Sequence, residues 1–164
     1  MGKKSTACGA LILSTLSLVA LTGATYPERD SIGDPFLEEQ EEVREVIRSI
    51  VQDAESANIE GLKAAHLKSD KFTKFGPRSF DRQDLASTNE SEAAFFGSIS
   101  NFRQENRELK IDVFGDMAIA TYYPHVSFVQ NGEVKERSGR QTLVLLKTPD
   151  GWKIVHEHGT TRQW

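Results

Sequence analysis

The chain closes on a histidine pair: Trp152-Lys153-Ile154-Val155-His156-Glu157-His158 follows the turn Thr148-Pro149-Asp150-Gly151. In an extended strand alternate side chains share a face, which would align Trp152, Ile154, His156 and His158. Imidazole is the side chain whose ordinary pKa lies nearest neutrality, so a pocket lined this way could move protons. Tyr122 or Tyr123, on an earlier apolar run, offers a phenol that could steady a developing oxyanion. His156, His158 and Tyr123 are therefore the candidate catalytic residues. His125 follows Tyr123 by two positions, and three converging imidazoles could in principle hold zinc with an open position for water. A His-x-His strand is a short signal, however, and no metal or other cofactor is expected. Arg140 could anchor a carboxylate in bidentate fashion, and Trp152 and Phe95 could supply apolar lining. Together with His125 these are the candidate ligand-binding residues.

Other chemistries have no residues to carry them. The sequence shows no glycine-rich phosphate loop and no nucleophile elbow. Its single cysteine, Cys8, lies in a segment expected to be removed, which excludes thiol catalysis in the processed chain. That segment has a basic start (Lys3, Lys4), a short apolar run from Ala10 to Leu21, and small residues Thr22-Gly23-Ala24. These are the parts of a secretory signal peptide over residues 1–24, and the run is short for a bilayer span. The expected product is secreted or periplasmic, with no membrane attachment after processing. Losing two lysines and no acid moves the formal charge from −4 to −6. A mildly acidic chain without a long basic run argues against nucleic acid as a partner. Without disulfides the remaining single domain must be held by its own core.

The positioning elements follow from periodicity. After a polar leader (25–35), Asp34 and Pro35 suit a helix start, and Val43, Val46, Ile47, Ile50, Val51, Ala54 and Ala57 form one apolar stripe. Asn58 can cap a second, shorter helix reaching His66 or Leu67. Phe72 and Phe75 bracket a short extended piece stopped by Gly76-Pro77. A third helix is expected from Ser87, where Ser87 and Glu90 fit a capping box, through Phe95 and Phe96 to Phe102. From residue 107 alternation replaces the helical period, and Asn131-Gly132 is a strong hairpin turn. Met117 to Val129 and Thr142 to Leu146 are apolar on both faces. One face must meet the helices; the other is expected to meet a second subunit, giving a homodimer through the sheet. Helices first and strands after read as an α+β domain with the helices on one side of an antiparallel sheet.

This order, the piece Lys71-Phe72-Thr73-Lys74-Phe75-Gly76-Pro77, Gly115-Asp116-Met117-Ala118-Ile119-Ala120, Gly139-Arg140-Gln141-Thr142-Leu143-Val144 and the closing His-Glu-His strand resemble the SnoaL-like branch of the NTF2-like superfamily. That branch has DUF4440 and kinase-association-domain relatives. The resemblance covers nearly all of residues 36–162. It implies a cone in which a curved sheet wraps the long helix around a deep, mostly apolar pocket, and commonly a dimer through the sheet. It leaves activity open, because such domains include isomerases, dehydratases, cyclases and assembly modules. The Tyr/Asp arrangement of ketosteroid isomerases has no match here. The resulting expectation is an exported domain binding a small, mostly apolar molecule. The alternatives are a proton-transfer enzyme using His or Tyr, and a non-catalytic dimerisation module.

Overall fold

The computed structural model describes Gly2, residues 29–77 and residues 79–162. The expected signal peptide and the first part of the leader, Gly2 apart, lie outside the described residues. In chain order the elements are α1 (Leu37–Glu55), α2 (Ile59–Ala65), β1 (Thr73–Phe75), α3 (Leu85–Gly97), β2 (Ser100–Phe114), β3 (Met117–Gln130), β4 (Glu133–Thr148) and β5 (Gly151–Thr161). The strands form one curved, open sheet in the order β1-β5-β4-β3-β2. β2 to β5 form the expected antiparallel meander, and β1 adds a parallel edge against β5. No helix among the described residues is long and apolar enough to cross a membrane.

Three helix boundaries differ from the sequence expectation. α1 begins after Phe36, whose backbone is left-handed (φ 48°) while its ring is buried. Asp34 does not occupy the cap position; it accepts from the Phe36 N–H (2.9 Å) and pairs with Arg29 (2.8 Å). Burying Phe36 fixes the entry angle and pushes the start two residues along. α3 is capped by Asp84, with Ser87 as the reciprocal partner of the capping box rather than its first member. α3 also stops at Gly97, so Phe102 belongs to β2, which starts seven residues earlier than expected. The polar alternation Arg103, Glu105, Arg107 is strand pattern, which a window centred on the preceding phenylalanines conceals.

Two bulges in β2 curve the sheet. Register shifts between Ser100 and Arg103 and between Arg107 and Lys110 each put two residues of β2 opposite one of β3. Each holds one residue at positive φ, Asn101 and Glu108, both at 53°. The curved inner face wraps α1, and the core divides in two. Val43, Ile47, Phe72, Ile111, Leu143, Leu145, Trp152 and Ile154 pack one end. Ala54, Leu62, Phe102 and Phe128 pack the other, with Phe95 and Phe96 against them. Full burial of each large apolar side chain contributes about 1.5–3 kcal/mol.

Candidate ligand-binding site

Between these two clusters lies a cavity of about 250 Å³. Ile50, Ala54 and Leu62 line it from the helices, Phe95, Phe96, Phe102 and Phe128 from the far cluster, and Tyr122, Leu143 and Ile154 from the sheet. The phenylalanines meet edge to face, with ring centroids 5.2–6.4 Å apart. Such pairs add rigidity beyond the area they bury.

One wall is ionic. Glu157 of β5 is buried, and both its oxygens are engaged: Oε1 with His66 Nε2 (2.7 Å) and Oε2 with Lys74 Nζ (2.9 Å). Lys74 also donates to Glu92 Oε1 (2.5 Å), which lies 4.0 Å from His66 Nε2. Each member has a clear structural origin. Parallel pairing of β1 with β5 sets Lys74 opposite Glu157. His66 ends α2 and is held beside β5 by the Leu67 N–H donating to the Ile154 carbonyl (2.8 Å). Glu92 comes from α3, one turn before Phe95 and Phe96.

The charges nearly balance, and they set one another's protonation. Burial works to raise the Glu157 carboxyl, but Lys74 and His66 outweigh it and hold the group well below the ordinary carboxylate range. Burial likewise opposes a charged Lys74, yet Glu157 and Glu92 push its pKa above the usual lysine value. Burial also disfavours protonated His66; the Glu157 bond and the Glu92 charge override it, and the net shift is upward. Two carboxylates and one ammonium leave a single negative charge, which an imidazolium cancels. Burial, and then the Glu157 charge, raise the Tyr122 phenol, so it keeps its proton.

The ligand atoms of His66, Glu92 and Glu157 lie within 4.8 Å of one another, a spacing a metal could use. Lys74 Nζ already sits between the two carboxylates, so its ammonium does the work of a cation there, and a metal would have to displace it. His66 Nδ1 is buried and has no hydrogen-bond partner among the described residues.

The face assigned to the histidines needs correcting. Ile154 pairs with Leu145, but His156 pairs with Val144, so Val155 and His156 together oppose one residue. This bulge resets the alternation: Trp152, Ile154, Glu157 and Gly159 point inward, while His156 and His158 lie on the outer face. His156 Nδ1 meets Thr73 Oγ1 at 2.8 Å, and His158 is exposed with its ring 6.0 Å from Phe75. Tyr123 is also exposed on the outer face, next to inward Tyr122. With His125 and Arg140 it lines a separate outer groove, where His125 Nδ1 and Ser138 Oγ are 3.0 Å apart. Trp152 is buried in the first cluster, and its Nε1–H donates to Glu42 (2.8 Å). Of His156, His158, Tyr123, His125, Arg140, Trp152 and Phe95 only Phe95 lines the inner cavity, joined by Tyr122, the alternative to Tyr123. Sequence reasoning missed His66, Lys74, Glu92 and Glu157; a charged pair interrupting two strand motifs (Lys74 between Phe72 and Phe75, Glu157 between histidines) was the available signal.

An open, curved sheet wrapped on a long helix around an apolar cavity defines the NTF2-like class, and solved structures agree. An NTF2-like superfamily protein from Salmonella enterica serovar Typhimurium superposes with a TM-score of 0.71 at 23% identity, over 77% of this chain and 93% of that one. A Streptomyces avermitilis member of the NTF2-like family, provisionally assigned as a dehydratase, gives 0.71 at 18% identity, over 77% and 98%. An NTF2-like protein of unknown function from Pseudomonas putida gives 0.66 at 17%, over 75% and 86%. At these identities the likeness is one of fold. The family model for the SnoaL-like domain matches residues 43–161, and the chain belongs to that family. A comparison with curated proteins finds no significant match.

Proposed function

We propose that this domain captures a small, largely apolar molecule in the inner cavity and holds it without turning it over. The carrying observation is an apolar cavity whose charged wall is paired from within, Glu157 with His66 and Lys74, and Lys74 with Glu92. Glu157 is a poor base, with both oxygens engaged and its carboxyl held ionised. Lys74 holds its proton between two carboxylates, and the His66 Nε2 is committed to Glu157. A general base needs a free lone pair within reach of its substrate; the Glu157 oxygens and His66 Nε2 are committed, and His66 Nδ1 can accept only from a neutral imidazole, the form its raised pKa disfavours. What remains is recognition: Tyr122, whose phenol forms no hydrogen bond with a described residue, can donate one to a ligand carbonyl or hydroxyl. An open cavity of this size also supports binding over an assembly-only role, in which side chains would fill it.

The reading includes export, supported by the basic, apolar and small-residue order of residues 1–24. It also includes a homodimer through the outer face. There Phe114, Met117, Ile119 and Tyr123 stay 38–48% exposed on neighbouring strands, an apolar patch that a second copy would cover. The test is native mass spectrometry of the protein purified from its own host. The expected spectrum is a dimer of chains beginning near Thr25 and carrying a discrete extra mass. Bare protein that takes up no apolar compound on addition would contradict the binding reading.

A further inference from the structure

The cavity's cations are not alike. Lys74 is held by two carboxylates. Arg137, on the inner face of β4 where the cavity opens to solvent, forms no ion pair or hydrogen bond with a described residue. Its guanidinium lies 5.1 Å above the Phe128 ring, at the edge of the phenylalanine box. Glu55, the acid that reaches this row from α1, accepts instead from the Gln104 N–H (3.1 Å).

The wall beside Arg137 is bare. Inward positions on β4 run Arg137, Gly139, Gln141, Leu143. A side chain at Gly139 would begin 2.0 Å from the Thr160 carbonyl, so only glycine fits there. Pro124 stands opposite Gly139 by register. Gln141 follows, its amide lying over Gly159, where a Cβ would come within 2.6 Å of it. This amide also has no hydrogen-bond partner among the described residues. An aromatic box, an adjoining guanidinium and an amide beyond a glycine gap therefore share one opening.

Resting on the binding reading above, we propose that the ligand is a ring-bearing monocarboxylate, its ring against Phe95, Phe96, Phe102 and Phe128 and its carboxylate on Arg137. A guanidinium fork matches a planar carboxylate in two parallel hydrogen bonds. One such cation neutralises one charge, which favours a monoanion over a phosphate ester. The ionic wall is self-compensated, so it does not repel the anion. Arg137 is exposed at the cavity mouth, which keeps the carboxylate's desolvation small.

Matched probes test this: benzoate, cinnamate and 2-naphthoate against benzamide, cinnamamide and 2-naphthamide, titrated calorimetrically into the wild type and Arg137→Gln. The expected result is that at least one acid binds about tenfold tighter than its amide, the gain of a charge-assisted bidentate pair. In Arg137→Gln the acid should fall to the level of its amide, with amide affinity and melting temperature unchanged. Equal binding of every acid and its amide by the wild type, or an acid preference that survives in Arg137→Gln, would overturn the carboxylate assignment while leaving the cavity reading in place. No binding by any of the six probes up to millimolar concentration would overturn both.

Discussion

Strand β5 carries two polar rows one residue apart that behave as opposites. On its inner face Glu157 is buried, engaged by His66 and Lys74 and strongly shifted in pKa. On its outer face His156 rests against Thr73, and His158 stands in solvent beside Phe75. The same parallel strand, β1, serves both rows: Lys74 is set against Glu157, while Thr73 and Phe75 are set against the histidines. The lesson is dielectric. Charges taken from water interact strongly and tolerate only a complete set of partners, whereas the same side chains facing water are nearly free to vary.

The most severe break in that contrast is Glu157→Ala. It would leave buried His66 Nε2 without its 2.7 Å partner and Lys74 with Glu92 alone, and urea unfolding should show a loss of about 3–5 kcal/mol. Next comes the outer patch. Ile119→Lys places like charges across the proposed two-fold contact, and light scattering should report a monomer, the dissociation constant rising at least about a hundredfold. A smaller effect concerns pH. His66 is raised above its ordinary value of 6.5, so the stability its charged form adds is complete below that pH and lost as pH rises through the folded value. Glu157 is held below 4.5, so its contribution is complete above that pH and lost on acidification. Unfolding measured across pH should show both limbs, and His66→Gln should flatten the alkaline one. The smallest change expected is His158→Ala, which should leave stability within about 0.5 kcal/mol of wild type.

Much of the frame was legible in the sequence. The stripe on α1 does face the sheet, Asn58 caps α2 by accepting from the Gly61 N–H (3.2 Å), and Asn131-Gly132 makes its turn with φ of 54° and 79°. The inward run Ala118, Ala120, Tyr122 on β3 follows the alternation as read. The site was not legible, for two physical reasons. Strict alternation carried past Val155 reverses every later face, and the bulge there arises from pairing with β4 rather than from any local residue signal. The ionic wall is assembled from four separate elements, with His66 and Glu157 lying 91 residues apart. Nothing in the neighbourhood of Lys74 states that its partner is the acid between two histidines.

The central claim is that recognition sits in the inner cavity and not on the histidine-bearing face. The most direct measurement is ligand occupancy by native mass spectrometry of three proteins expressed in the original host: wild type, His156→Ala/His158→Ala, and Phe95→Trp. The larger ring at position 95 should fill the cavity. The account expects the extra mass to persist in the double-histidine variant and to vanish in Phe95→Trp. Loss of the mass from the histidine variant, with full occupancy in Phe95→Trp, would contradict it.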